Sequence, residues 1–327
     1  MIRPTRREVL RSGVAAAAAA LPAPAIADTW PSKPIKIIVT YPPGGLTDVF
    51  ARAYGEYVSQ KIGQAVVVEN KTGAAGAIGA EMVKSAPADG YTLMFTNSTT
   101  MVQNKVLFKK LPYDPDKDFA LVAWFNTGHL PTIINKDVPA KTIPEFAAWA
   151  RDRKVSLATY GIGSYAHVVA ETLNRHYGLK MEAVHYRGEA LMWQDVASGV
   201  VQGASGSYAS ANAVLQSGAG RPIAVPTLER MKKLPDVSTF VEQGLPEKAF
   251  QVRGWVGCCA PAGTSEEIVS KLSDLMVEGG KTERIQKIID TFGIDEAAQN
   301  RAYFRKVLDE EGPVVIEVIK SLNIEPQ

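Results

Sequence analysis

The regular patterning of the chain begins at Ile35-Lys-Ile-Ile-Val-Thr40, a short apolar run that predicts a buried strand. An amphipathic helix pattern follows, with Val49, Tyr54, Tyr57, Val58 and Ile62 at its apolar positions. Between them lies Tyr41-Pro-Pro-Gly-Gly-Leu-Thr-Asp48, a strand-to-helix turn. The alternation continues with a strand at Ala65-Val-Val-Val-Glu69. A helix starts after Thr72-Gly-Ala-Ala-Gly-Ala-Ile-Gly79 and reaches about Ser85, and a further strand is Tyr91-Thr-Leu-Met-Phe-Thr96. Pro87 and Asp89-Gly90 end that second helix. Strand, helix, strand, helix, strand is a parallel α/β pattern, whose ligand crevice lies at the carboxyl ends of the strands. The loops just past those ends, 41–48, 70–76 and 97–100, are all small and polar.

Residues 119–125 and 131–135 read as extended, and Thr142 starts a helix to about Asp152. A second α/β series opens at Val155-Ser-Leu-Ala-Thr159 and repeats the first theme. Its loop, Tyr160-Gly-Ile-Gly-Ser-Tyr-Ala-His167, is again a glycine turn before a helix, with Ser164 placed to cap it and His167 on its first turn. Strands follow at 182–185, 200–204 and 222–225. Arg187-Gly-Glu189 comes after the first, and Ser205-Gly-Ser207 after the second. Residues 251–260 form one long extended run, suited to carrying the chain back to the first unit. Helices at 265–277, 282–292 and 302–321 complete the pattern. The two strand–glycine–helix loops predict two similar lobes.

The turn at 41–48 makes a chemical offer. Gly44 and Gly45 carry no Cβ, so a ligand can approach the main chain closely. The free N–H groups of the new helix point into the turn, and the helix dipole favours an anion there. Taken alone, the turn reads equally well as a plain βα connection. The convergence of three small polar loops at one sheet edge favours binding.

The ends and the composition narrow the function. Thr5-Arg6-Arg7-Glu8-Val9-Leu10, the short alanine-rich stretch 14–21 and Ala25-Ile26-Ala27 read as a twin-arginine export signal, residues 1–27, with a small-x-small cleavage site. That apolar stretch is too short to span a membrane. The signal carries four arginines and one glutamate, so its removal takes the formal charge from +2 to −1. A near-neutral chain without a basic run is a poor partner for nucleic acid. The only cysteines are the neighbours Cys258 and Cys259, in the apolar run Trp255-Val-Gly-Cys-Cys-Ala260, which points to core packing.

The sequence shows no Gly-x-Ser-x-Gly elbow, no Walker loop and no His-Glu-x-x-His. Gly73, Gly76 and Gly79 are spaced by three, unlike a dinucleotide fingerprint. His129, His167, His176 and His185 show no metal spacing with carboxylates, so no metal or cofactor is expected. An enzyme would have to use Ser164 with His167; the alternative for His167 is a packed or capping side chain.

With these residues assembled, the chain resembles the solute receptors of tripartite tricarboxylate transporters, the Bug receptors. The resemblance runs over nearly the whole chain after the signal. It rests on Tyr41-Pro-Pro-Gly-Gly-Leu-Thr-Asp48, Val68-Glu-Asn-Lys-Thr-Gly-Ala-Ala-Gly-Ala-Ile-Gly-Ala80, Ala88-Asp-Gly-Tyr-Thr-Leu93 and Tyr160-Gly-Ile-Gly-Ser-Tyr-Ala-His167. Tyr186-Arg-Gly188, Leu234-Pro-Asp-Val237 and Trp255-Val-Gly-Cys-Cys-Ala-Pro-Ala-Gly-Thr264 continue it in order. It implies an α/β two-lobed periplasmic binding protein, a type II-like Venus flytrap. Each lobe would be a mainly parallel sheet flanked by helices, joined to the other by two crossing strands. Residues 28–125 plus 255–327 would form lobe 1 and 126–254 lobe 2. The implied function is non-enzymatic. A small organic carboxylate, di- or aromatic, is captured by domain closure and presented to the membrane subunits of a tripartite tricarboxylate-type transporter, by a monomer. An exported hydrolase- or lyase-like enzyme and a sensor without transport are the competing functions.

Carried onto this chain, the resemblance assigns Pro42, Gly44, Gly45 and Asp48 to the carboxylate end, with Asn97, Ser98 and Thr99 on the same side. Gly161, Gly163, Ser164 and His167 would face them, with Gly188 nearby and Ser205 and Ser207 on the far side. Two stretches depart from the family pattern. Ser205-Gly206-Ser207 stands where a Phe-Asp pair is usual, and Glu189-Ala-Leu-Met-Trp193 where a small residue and proline are common. Loss of an aromatic and an acid predicts a wider distal pocket with less repulsion of an anion. Trp193 reads either as a stacking partner or, more simply, as a core residue of its helix.

Overall fold

The computed structural model describes residues 30–128, 130–251, 254–294, 296–321 and 325–326. The export signal at 1–27 and His129 lie outside the described residues. Strand β1 (Ile35–Val39) forms because Ile35, Ile37, Ile38 and Val39 are all buried. Gly45 opens helix α1 (Leu46–Ile62), and Gly63 closes it in the left-handed region with its N–H on Ser59 O. Strand β2 (Val66–Asn70), a 3-10 turn at Ala74–Gly76, α2 (Ala77–Lys84) and β3 (Thr92–Asn97) follow as the apolar pattern requires. A π-helical turn, Thr99–Gln103, then runs into the one-turn α3 (Asn104–Leu107) before β4 (Phe119–Asn126).

The second lobe comprises β5 (Thr132–Asn135), α4 (Ile143–Ala150), β6 (Ser156–Thr159), α5 (Tyr165–Tyr177), β7 (Glu182–His185), α6 (Glu189–Ser198), β8 (Gly203–Ser205), α7 (Tyr208–Gln216) and β9 (Gly220–Ala224). Strand β10 (Trp255–Pro261) returns to the first sheet. Helices α8 (Glu266–Gly279) and α9 (Glu283–Phe292), the short β11 (Gln299–Asn300) and α10 (Arg301–Ser321) complete the chain. β8 runs shorter than its apolar pattern suggests, starting at Gly203 because Gly199 to Gln202 turn off the end of α6. Of the expected extended run 251–260, residues 252–253 lie outside the described residues, Gln251 follows a 3-10 turn at Lys248–Phe250, and β10 takes up Trp255 onward.

The first sheet has the order β11-β4-β10-β3-β1-β2 and the second β7-β6-β8-β5-β9. Parallel pairing of β1 with β2 and β3, and antiparallel pairing of β10 with β3 and β4, leave β1 to β4 pointing one way and β10 the other. In the second sheet β6 to β9 point one way and β5 alone is reversed. The two sheets therefore share one plan, mainly parallel, with the strand that crosses from the other lobe inserted in the same inverted place.

Strand β10 is buried along its whole length, so both sides of the first sheet pack against it. On one side Phe125 stacks on Phe95 at 5.4 Å and meets Tyr54 at 4.6 Å and Phe50 at 5.7 Å. On the other, Cys259 joins Met94, Trp124 and Phe304. Cys258 and Cys259 are both free thiols with no exposed surface, in keeping with core packing. Gly257 is required because Phe304 lies over it: a Cβ there would sit 2.4 Å from Phe304 Cζ. Gly257→Ala is expected to lower stability by about 1–3 kcal/mol through overpacking. Phe304→Leu in the same chain should recover part of that loss. Urea unfolding of the single and double variants checks both outcomes.

Candidate functional site

The turn after β1 is built so that its backbone stays open. Gly44 takes a positive φ of 82°, and Gly45 caps α1 without any side-chain bond to the helix N–H groups. Asp48 supports the turn from below. One of its oxygens accepts from Gly44 N–H at 3.0 Å and Arg52 Nε at 3.0 Å; the other accepts from Arg52 at 2.9 Å and Asn70 Nδ2 at 2.9 Å. Asn70 Nδ2 also reaches Tyr41 O at 3.0 Å, which ties the end of β2 to the turn. Burial alone would raise the Asp48 pKa, but the bonds from Arg52, Gly44 and Asn70 outweigh it and hold the carboxyl below its ordinary value. Asp48 was expected at the carboxylate end of a ligand. Its two oxygens each accept two bonds from within the loop and its neighbours Arg52 and Asn70.

The second and third loops of lobe 1 are sewn to the first. Tyr41 Oη lies 3.1 Å from Thr100 Oγ1 and donates to Ala75 O at 3.2 Å. Asn104 Nδ2 donates to the same carbonyl at 3.0 Å. Ala74 and Ala75 hold positive φ of 47° and 50°, a strained conformation for alanine that these bonds help to fix. Burial pushes the Tyr41 hydroxyl up to about 12, against hydrogen bonding from Thr100, Thr99 and Asn97. Asn97 Oδ1 also accepts from Thr99 N–H at 3.0 Å, and half-buried Ser98 lies between them at the end of β3.

In the second lobe Gly161 and Gly163 have φ of 146° and 72°, and Ser164 caps α5 by accepting from His167 N–H at 3.4 Å. His167 Nδ1 accepts from Gly163 N–H at 3.0 Å, so its ring fixes the glycine turn. The ring packs edge-on to His185 at 4.7 Å, and its Nε2 lies 3.9 Å from Glu171. Burial first, and then the neighbouring His185, lower the His167 pKa to about 4, which keeps the ring neutral. His185 in turn meets Thr159 Oγ1 at 2.7 Å. Ser164 and His167 therefore meet through backbone capping, and no side-chain base addresses Ser164 among the described residues. The His167 ring is buried, packed on His185 and bonded to the Gly163 N–H.

The two sets of loops face one another. A Cβ on Gly188 would sit 3.9 Å from Pro42 Cγ, and one on Gly163 would sit 2.2 Å from Leu107 Cδ1. Both are approaches between second-lobe turns and the first lobe. Ser205 Oγ lies 2.7 Å from Thr132 Oγ1. Ser207 caps α7 and also donates to Glu189, through its N–H at 3.0 Å and through its hydroxyl.

This last pair adds side chains beside the distal stretch 205–207. Around Gly206 the space is filled: a Cβ would meet Trp193 at 2.9 Å, Met192 at 3.0 Å and Glu189 at 3.1 Å. Glu189 brings a carboxylate beside Ser207. Trp193 is a core residue, 3% exposed among Ile133, Ala158 and Val196. Surface hollows of about 500 and 360 Å³ lie near Lys105 and Asp116, away from the strand ends that form the site.

Sequence reasoning missed Asn70, Tyr41, Tyr160 and Glu189. A signal for the tyrosines was present: Thr40-Tyr41 and Thr159-Tyr160 stand in equivalent places, each ending a strand just before a glycine turn. Burial, and then the charge of Glu189, drive the Tyr160 hydroxyl well above the ordinary tyrosine range, and Tyr41 adds to the shift across the lobes.

The chain has known relatives along most of its length. Residues 50–324 match the family described as tripartite tricarboxylate transporter family receptor. The chain is 32% identical over 264 residues to Protein BugT of Bordetella pertussis, covering 80% of each. An R. palustris protein solved with adipate superposes with a TM-score of 0.84 at 27% identity, over 91% of this chain and 100% of that one. The periplasmic binding protein BugD superposes with a TM-score of 0.79 at 28% identity, with the same coverage.

The turn-holding side chains should leave their mark on stability and its pH dependence. Asp48→Asn is expected to cost about 1–2 kcal/mol, allowing for the half-exposed Arg52. Because the Asp48 pKa is lowered in the fold, its contribution is present above the ordinary aspartate value and is lost as pH falls through the lowered one. Denaturant melts at pH 7 and pH 3 should show the wild type and the Asp48→Asn variant converging in acid. For His167 the unfolded chain takes a proton near pH 6.5 and the folded chain only near 4. Acid in that window therefore favours unfolding, by up to roughly 3 kcal/mol. His167→Asn should flatten the stability profile between these pH values, leaving the smaller slope due to His185, whose pKa burial also lowers.

Proposed function

Because the chain belongs to the tripartite tricarboxylate transporter receptor family, we propose that it is a periplasmic solute receptor that captures a small organic carboxylate between its lobes. It hands the ligand to the membrane subunits of a tripartite tricarboxylate-type transporter, as a monomer exported by the twin-arginine signal at 1–27. The lobes are residues 28–125 plus 255–327 and 126–254. One observation carries the reading. The first-lobe turn at Pro42 lies against Gly188 of the second lobe, and the helix behind that turn has no side chain bound to its free N–H groups. Such a helix start receives a carboxylate without needing a cation.

In this reading Pro42, Gly44 and Gly45 take one carboxylate through backbone N–H groups and water. Asn97, Ser98 and Thr99 flank it. Gly161, Gly163, Ser164 and Gly188 close from the second lobe, with Ser205 and Ser207 at the distal end. Asp48 and His167 act by holding the turns. The R. palustris neighbour solved with adipate supports a carboxylate as ligand.

Thermal unfolding of the chain from Asp28 onward, against mono-, di- and tricarboxylates, aliphatic and aromatic, tests this. A ligand at a hundredfold excess over its Kd stabilises by about 2.7 kcal/mol, a rise of several degrees for a chain of this size. One chemical group of acids should produce such a rise with no turnover of the acid. Absence of a shift with every acid, together with no acid released from the denatured protein by mass spectrometry, overturns the proposal.

A further inference from the structure

The two lobes offer their helix starts differently. In lobe 1 the N–H groups of α1 have no side-chain cap. In lobe 2 the start of α7 is occupied: Ser207 caps it, and the Glu189 carboxylate sits on the Ser207 N–H and hydroxyl. Glu189 is the first residue of α6, directly after Gly188, which approaches Pro42 of the opposite lobe. Its Oε1 would lie 3.1 Å from a Cβ on Gly206, just past the carboxyl end of β8. The carboxylate therefore lies at the strand ends beside the approach of Gly188 to Pro42. No lysine or arginine forms an ion pair with it among the described residues. A carboxylate has about four acceptor positions, so two remain after Ser207 is served.

We propose that Glu189 sets the charge of the ligand: it denies the second-lobe side of the cleft to a second carboxylate and selects acids whose far end is uncharged or cationic and donates hydrogen bonds. This rests on the carboxylate-receptor reading above and refines it. One end of the ligand is an anion, received by the open helix start of lobe 1. The other end meets a negative charge already seated where a second anion would otherwise be welcome. A hydroxyl, amide or ammonium group satisfies the free acceptor positions of Glu189. A carboxylate there would face like-charge repulsion.

The test is calorimetry with matched pairs: adipate against 6-hydroxyhexanoate and 6-aminohexanoate, and succinate against succinamate. The wild-type protein is expected to prefer the single-carboxylate member by roughly tenfold or more. Glu189→Gln keeps the shape and an oxygen for Ser207, and should bring the two members to within about twofold. Glu189→Asp keeps the charge and should keep the preference, which a role in packing alone would not do. The wild-type ratio is read without any variant, so it decides even if a variant folds poorly. Equal or tighter binding of the dicarboxylates by the wild type overturns the assignment, as does a preference that Glu189→Gln leaves unchanged. If the well-folded wild type binds none of these acids, the same matched comparison is made on the acid group found by thermal unfolding; no shift with any acid there, and no acid released on denaturation, overturns the carboxylate reading and the role of Glu189 with it.

Discussion

A chain that passes between two sheets and returns must give each sheet one strand running the wrong way. β4 points out of the first sheet toward the second lobe, and β1, β2 and β3 run with it, so their carboxyl ends point at the second lobe. β5 starts at the junction and runs away from it. Its antiparallel partners, and those parallel to them, therefore run back toward the first lobe. The loops after the strands are thus opposed by topology. Reversed β10 lies between β3 and β4, and reversed β5 between β8 and β9, so neither sheet is complete without a strand that arrives from the other. Hydrophobic burial of β10 on both faces is what makes that arrangement stable.

Within this frame the ionisable side chains near the junction hold backbone in place. Asp48 fixes Gly44, His167 fixes Gly163, and Glu189 fixes Ser207. Each binds a main-chain N–H in a turn or at a helix start, where an unmet donor would be costly. The arrangement leaves the first N–H groups of α1 without a side-chain cap.

Much of this was legible because periodicity and glycine turns are local properties. The runs at 35–40, 91–96 and 155–159 are buried strands, and Gly44, Gly161 and Gly163 do adopt the positive φ that glycine permits. The helical stretch 99–107 was not legible, since Thr-Thr-Met-Val-Gln carries neither a cap nor an amphipathic period, and it is held by Tyr41, Ala75 and Tyr113 from distant parts of the chain. The Asp48–Asn70 bond spans 22 residues and Glu189–Ser207 spans 18, so neither leaves a trace in spacing. Reading 205–207 in isolation suggested a missing acid. The carboxylate that meets Ser207 sits on a different helix.

The adjacent thiols in β10 give the molecule an indifference to its redox surroundings. Neighbouring residues on a strand point to opposite faces, so Cys258 and Cys259 belong to different sides of one sheet. Burial pushes both thiols above their ordinary range, and a protonated thiol is neither a nucleophile nor a ready partner for exchange. The chain can therefore hold the same fold in a reducing interior and in an oxidising space outside it. It has no bond to form on arrival and none to lose.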